Sequence, residues 1–114
     1  TILDEGELIE KFSFPIPDKC SYVKFANPAS RYAIVGVFVC KFSNDLRVAV
    51  TGAGQNGVFR PSQIEDALSN NFSTNSLDGI KLDPDEIMSD IHAGNEYRAH
   101  LIIEMTKKAV KKIS

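Results

Sequence analysis

An α+β domain is the fold class that this sequence predicts, because strand-like segments come first and helix-like segments follow. Residues 32–40 form an apolar run of β-branched and aromatic side chains, as expected for a central, covered strand. Near the other end, apolar side chains recur every four residues, at Tyr97, Leu101, Met105 and Ala109. We therefore expect a small antiparallel sheet of about three to four strands, with about three helices packed on one face.

The first quarter of the chain predicts short extended pieces. Residues 1–13 mix acidic and apolar side chains, and we interpret them as a short strand entering the domain. Pro15 and Pro17 must end that strand because proline cannot donate to a sheet ladder. Residues 22–25 form a second extended piece, and Asn27-Pro28 favours a turn after it.

A hairpin is predicted next. Residues 46–51 alternate between apolar and other side chains, which indicates a half-buried strand. Turn residues at 43–45 make it the hairpin partner of the central strand. A glycine-rich loop over residues 52–60 follows, and Pro61 is suited to the first turn of a helix.

Two further helices are predicted in the second half. Asp83 and Pro84 have the chemistry of a helix cap and a first helical residue, with Glu86 reaching back, and this helix should end near Asp90. The last helix begins near Asn95, and its lysine-rich end suits the negative end of the helix dipole.

Composition restricts the class of protein. The chain has 114 residues, 43% of them hydrophobic and 25% charged, which fits a single globular domain over residues 1–114. A net charge of −2 and the absence of a basic stripe argue against a nucleic-acid partner. No stretch is long and apolar enough for a membrane span. Cys20 and Cys40 fit a reducing cytoplasm, and a disulfide between them is possible without being implied.

A GxGxxG pattern over residues 52–57 directly follows a predicted strand. A dinucleotide site needs a helix that begins within the glycines, whereas Pro61 places the helix start later, so we reject that interpretation. A small dinucleotide-binding enzyme would require a helix beginning at Gly54. A flexible turn and a loop that touches a partner domain both remain open.

Other polar residues give weaker signals. His92 and His100 are too far apart along a helix to share one metal ion, so ordinary polar contacts are favoured over a metal site. No serine lies in a GxSxG pattern, which leaves a hydrolase unsupported. Asp90, Glu96 and Arg98 surround the start of the last helix, and we favour capping and surface ion pairs there over an inter-domain contact.

Three segments together carry a resemblance to a known family. They are YVKFANPASRYAIVGVFV at 22–39, VAVTGAGQNGVFR at 48–60 and SDIHAGNEYRAHLIIEMTKKAV at 89–110. In this order and spacing they resemble the C-terminal domain of the FAD-binding (medium) subunit of the carbon monoxide dehydrogenase and xanthine dehydrogenase family, the molybdenum hydroxylases. The similarity extends from residue 12 onward. Gly94 departs from a Ser common in relatives, but both cap helices.

The resemblance implies a non-catalytic part of an FAD-dependent oxidoreductase. In that family, two N-terminal domains of the same subunit hold most of the FAD, and their glycine-rich motifs are absent here. Partner subunits carry the molybdenum cofactor and the iron–sulfur clusters, from which electrons reach FAD. The substrate is selected at the molybdenum subunit, so nothing in this chain identifies it. Thr1 in place of Met leads us to expect a fragment or trimmed version of a longer chain.

The resemblance also implies residues near the flavin. Relatives have a lysine at the position of Lys24, close to the flavin, where its charge would favour the reduced ring. A surface lysine on a short strand is an equally weighted alternative. The loop 27–32 would approach the same site, with Arg31 and Tyr32 as its most interactive side chains.

A domain of this kind should expose an apolar patch where its partner is missing. We expect Phe25, Tyr32 and Phe59 near that patch, and self-association of the isolated chain for the same reason. The competing hypothesis is a stand-alone interaction or regulatory module that has the same fold and no flavin chemistry.

Overall fold

The computed structural model describes residues 3–114, and its strands precede its helices. The strands are β1 (Lys19–Ala26), β2 (Ala33–Phe42) and β3 (Asp45–Thr51), and they form one antiparallel sheet in the order β1-β2-β3. The helices are α1 (Ser62–Asn70) and α2 (Asn95–Ile113), with short 3₁₀ turns at Thr74–Leu77 and Pro84–Glu86. The α+β class is confirmed, although residues 3–114 contain two α-helices rather than about three. Residues 1 and 2 of the predicted domain lie outside the described part.

The predicted central strand is central, and it is covered completely on one face and partly on the other, where Gly36 and Cys40 are buried. Val35, Val37 and Val39 of β2 are fully buried beneath the helices. On the opposite face, Phe38 is 38% exposed and Tyr22 of β1 is 47% exposed. We call this second face, formed by alternate residues of the three strands, the open face of the sheet.

The β2–β3 hairpin forms as predicted. Phe42 and Asp45 are the last paired residues, so Ser43 and Asn44 make the turn. Leu46, Val48 and Val50 of β3 are buried, as the alternating pattern requires. The hairpin fixes which residues of β3 share the core with β2.

Both helices cover the same face of the sheet. α2 lies against β1 and β2, and α1 lies against β3. Leu101, Met105 and Ala109 of α2 are buried, which confirms three residues of the predicted stripe, whereas its first residue, Tyr97, is 48% exposed. Burial of a side chain the size of Leu101 contributes about 1.5–3 kcal/mol. None of the helices within residues 3–114 is long and apolar enough to cross a bilayer.

The predicted entry strand is absent from the described part of the N-terminal segment. Residues 3–18, which we call the N-terminal arm, form no strand, and almost all of their side chains are exposed. In a strand, Leu8 and Phe12 would share one face and Ile9 would lie on the other, so no single face would collect the apolar side chains. Pro15 and Pro17 lack N–H donors. The arm joins the sheet at Asp18, whose N–H donates to the Lys41 carbonyl over 2.9 Å.

The predicted helix after Asp83 is only a 3₁₀ turn. Its start is as expected, with the Asp83 carboxylate accepting from the Asp85 N–H at 2.9 Å. The chain then turns extended at Ile87, because the Met88 N–H donates to the Ala53 carbonyl and Gly54 bridges to Ile87. Pairing with the glycine-rich loop thus replaces helix propagation towards Asp90.

Candidate functional site

One arginine joins the loops at the end of the sheet. Arg98, in the first turn of α2, is only 3% exposed. Its guanidinium donates to the carbonyls of Ile34 and Gly52 over 2.5 and 2.6 Å, and to the Asp90 carboxylate over 2.8 Å. Its Nε also donates to the Ala93 carbonyl at 3.4 Å. The preference for surface ion pairs at this position was therefore wrong, since the planar guanidinium serves as a buried bridge.

Asp90 holds the neighbouring loop in shape. One carboxylate oxygen accepts from the N–H groups of His92 and Ala93, at 2.9 and 3.0 Å, and the other accepts from Arg98. The His92 N–H, then Arg98 and the Ala93 N–H, lower the pKa of Asp90 from 3.8 to about 2. The ionised carboxylate is therefore part of the folded structure.

A pH dependence follows from this lowered pKa. Asp90 stabilises the fold fully above its ordinary pKa of 3.8, and that contribution is lost as the pH falls towards about 2. We expect Asp90→Asn to flatten the loss of stability over this pH range, measured by urea unfolding at a series of pH values. Asp45→Asn is the control. The pKa of Asp45 is also lowered, by Arg47, but that pair is exposed, so its replacement should change the pH dependence less than Asp90→Asn does. Equal pH slopes in wild type and Asp90→Asn would contradict the assignment.

The structure brings Lys24 and Arg31 together. The exposed Lys24 ammonium donates to the Arg31 carbonyl at 3.1 Å, across the loop that follows β1. Asn27 shapes this loop, since its side-chain oxygen accepts from the N–H groups of Ala29 and Ser30 at 2.9 and 3.2 Å. Arg31 adopts φ 66°, a conformation that costs a non-glycine residue about 1 kcal/mol. The hydrogen bond from Lys24 is one contact that holds Arg31 in this conformation.

Tyr32, the third predicted site residue, lines an open cleft of about 380 Å³ beside the loop. The cleft lies between residues 27–32 and the loop that Asp90 shapes, and Arg98 also lines it. His92 Nδ1 lies 3.5 Å from the Asn27 amide nitrogen, across the two loops. Lys24 does not line the cleft, but it is bonded to the loop that forms one of its walls.

Sequence reasoning placed the loop 27–32 near the site, but it did not place His92 there. The signal that could have found His92 is its position, since it lies in a loop within one of the segments that carry the family resemblance. His92 and His100 were considered together as metal ligands, but His100 lines a different cleft. Within residues 3–114 no group of three or more His, Cys, Asp or Glu side chains is arranged to hold a metal ion.

The glycine-rich loop does not have dinucleotide-binding geometry. α1 begins at Ser62, well beyond Gly57, so no helix N-terminus lies within the glycines. The loop is held instead by backbone pairing of Phe59 with Val50 and of Gly54 with Ile87. The independent dinucleotide-binding enzyme, which required a helix at Gly54, is therefore contradicted.

Comparison with protein families, with curated proteins and with solved structures finds no match to this chain. The function is therefore proposed from the resemblance that the three segments carry and from the geometry of their residues.

The expected apolar exposure is found for two of the three aromatic residues that were named. Tyr32 is 80% exposed and Phe25 is 36% exposed. The rings of Phe25 and Tyr97 pack edge to face, with their centroids 6.4 Å apart. Phe59 is partly buried against the core, so its predicted place in the patch was wrong. Additional exposed apolar side chains lie in the N-terminal arm and on the open face: Leu8, Phe12, Phe14, Ile16, Tyr22 and Phe38.

Proposed function

We propose that the chain is the C-terminal domain of the flavoprotein subunit of a molybdenum hydroxylase-type oxidoreductase, located in the cytoplasm. It frames one edge of the FAD site and helps to assemble the complex, without being catalytic itself. The observation that carries the proposal is the set of contacts made by Arg98. This side chain bonds to Ile34 and Gly52, one in each of the first two resembling segments, and to Asp90 in the third.

The predicted site residues suit the edge of a flavin. One of the three N–H groups of Lys24 is used by the Arg31 carbonyl, which leaves two for the oxygen-rich edge of the ring. The exposed Tyr32 side chain can contact the same ring. FAD, when bound, accepts electrons from the iron–sulfur clusters and passes them to an acceptor. The contribution of Lys24 is a fixed positive charge that favours the reduced flavin.

The rest of the flavin must be held elsewhere. The cleft at Tyr32 and the cleft at His100 are open at the surface, whereas a cofactor site usually encloses most of its ligand. This agrees with a role for N-terminal FAD-binding domains of the same subunit. The exposed apolar side chains of the arm and the open face are suited to contacts with those domains and with the molybdenum and iron–sulfur subunits. Without them, the isolated chain is expected to self-associate.

FAD binding tests the proposal. In the longer flavoprotein subunit that it requires, we expect Lys24→Ala to weaken FAD binding roughly tenfold, since a hydrogen bond from a charged group contributes about 1.5 kcal/mol. Isothermal titration measures this, with the 114-residue chain alone expected to bind FAD weakly. Lys108→Ala, at an exposed position near the other end of α2, is the matched control, and Lys24→Arg should restore part of the affinity.

Two results would count against this role. Tight FAD binding by the 114-residue chain alone would mean that the flavin site is misplaced. The same affinity in the Lys24→Ala and Lys108→Ala subunits would mean that Lys24 does not contact the flavin.

A stand-alone interaction or regulatory module is the second candidate. It is favoured by the exposed apolar side chains, together with the open form of the cleft at Tyr32 and of the cleft at His100. The reading frame upstream of Thr1 separates the two candidates. Glycine-rich flavin motifs there would support the oxidoreductase subunit, and a start codon immediately before Thr1 would support the module.

A further inference from the structure

Two cysteines face each other across the first two strands of the sheet. In the β1–β2 register, Cys20 of β1 is directly opposite Cys40 of β2. Directly opposed residues in an antiparallel pair place their side chains on the same face, with Cα atoms about 4.5–5.5 Å apart. A disulfide requires Cα atoms about 4.4–6.8 Å apart, so the strands need not separate or slip to form one. Both cysteines are free thiols in the structure.

The two thiols have different surroundings. Cys20 is exposed, whereas Cys40 is 7% exposed, and its thiol donates weakly to the Arg47 carbonyl at 3.7 Å. Burial raises the pKa of Cys40, although the nearby Arg47 charge opposes this. The thiolate is the reactive form of cysteine, so the raised pKa of Cys40 slows its oxidation. Cys20 is exposed, so its sulfur is the one that an oxidant in solution reaches first.

The cleft around the pair is mainly apolar. It is lined by the cysteines, by aromatic side chains of β2, by Arg47 and by the end of the N-terminal arm: Phe14, Pro15, Pro17, Phe38 and Phe42. An apolar wall next to Cys20 limits access of large reagents to Cys40. A thiol protected in this way survives to react with its neighbour.

We propose that Cys20 and Cys40 form a reversible oxidation site, in which a hydroperoxide oxidises Cys20 and Cys40 then closes a cross-strand disulfide. The Cys20 thiolate attacks the terminal oxygen of the hydroperoxide and the O–O bond breaks, which gives a sulfenic acid at Cys20. The leaving group is hydroxide from hydrogen peroxide, or an alkoxide from an organic hydroperoxide. The sulfur of Cys40 then attacks the Cys20 sulfur and displaces its hydroxyl group. The displaced group leaves as water with the Cys40 proton, and the two thiols have together supplied the electrons that reduce the peroxide.

Closure of this disulfide would change the open face. The Cys40 side chain would be tied to β1, next to the row formed by Tyr22 and Phe38 and against the arm at Phe14. The same face carries apolar side chains suited to contacts with other domains. Oxidation therefore acts on a contact surface, and it requires no bound flavin, so the inference goes beyond the proposed function.

Peptide mapping tests the site. The reduced 114-residue chain is treated with hydrogen peroxide, its remaining thiols are alkylated, and it is digested with trypsin without reduction. Cleavage after lysine and arginine places each cysteine in its own peptide, 20–24 and 32–41. We expect these peptides to be joined, two hydrogens lighter than their sum, while the chain remains monomeric on a non-reducing gel. A dithiol reductant should restore both thiols.

Variants separate the roles of the two sulfurs. Cys40→Ala should let the Cys20 sulfenic acid persist long enough to be trapped by dimedone. Cys20→Ser should slow oxidation of Cys40 by roughly tenfold or more, since exposure and thiolate character control the rate. The proposal is overturned if wild-type Cys20 oxidises while Cys40 remains open to alkylation after unfolding, or if the disulfides that form link separate chains.

Discussion

Replacing Arg98 with Met is expected to lower the free energy of unfolding by about 3 kcal/mol. Met keeps the aliphatic part of the side chain but leaves the buried Ile34 carbonyl and the part-buried Gly52 carbonyl without their donor. Each buried acceptor that loses its partner costs about 1–3 kcal/mol. The Asp90 carboxylate is 31% exposed, so water can replace part of the lost ion pair, and the carbonyls account for most of the effect.

Urea unfolding at neutral pH measures this loss, and Lys107→Met is its control. Lys107 pairs with Asp78 and Glu104 at the surface, and such pairs contribute about 1 kcal/mol or less. Arg98→Lys should fall between wild type and Arg98→Met, because one ammonium cannot reach all the acceptors of a planar guanidinium. A loss at Arg98→Met no larger than that at Lys107→Met would show that the buried contacts contribute little.

The elements in which apolar residues recur at a regular spacing were predictable from sequence. The hairpin of β2 and β3 and the long helix α2 form where alternation and four-residue spacing placed them, because a side chain on the wrong face would lose its burial. Short polar segments were less predictable. The segment after Asp83 has a good helix start, yet pairing with the glycine-rich loop determines its conformation, and that pairing partner is distant in sequence.

The candidate site likewise combines residues that the sequence predicts with contacts that it does not. Lys24, Arg31 and Tyr32 were expected in one region, and the bond from Lys24 to the Arg31 carbonyl brings two of them into contact. That bond depends on the irregular register at the end of β1 and on the left-handed conformation of Arg31, neither of which a local pattern specifies. Arg98 was misjudged for a related reason. A charged residue near the start of a helix is usually exposed to solvent. The carbonyl groups that accept from Arg98 come together only in the folded chain, so no local pattern predicts its burial.

Gly52, the first glycine of the GxGxxG pattern, gives a second large effect, because the backbone leaves no room for a side chain there. Gly52→Ala is expected to lower the free energy of unfolding by about 3 kcal/mol. Gly52 has φ +76°, and an added Cβ would lie 2.4 Å from the Ala33 carbonyl oxygen, which is backbone and cannot move aside cheaply. Gly57→Ala is the matched control, because φ is +102° there but no atom lies within 4 Å of the added Cβ. It should cost only about 1 kcal/mol of backbone strain.

The Gly52 effect should also depend on Arg98, because the carbonyl of Gly52 is one of the groups that Arg98 binds. A Cβ at Gly52 must displace this backbone, so Gly52→Ala already weakens the contact that Arg98→Met removes. The double variant should therefore lose less stability than the sum of the single losses, by about 1 kcal/mol, whereas Gly57→Ala and Arg98→Met should be additive. Additive losses for Gly52→Ala and Arg98→Met would mean that the two residues stabilise the end of the sheet independently. Losses that are less than additive would mean that Gly52 and Arg98 stabilise the end of the sheet through one shared contact.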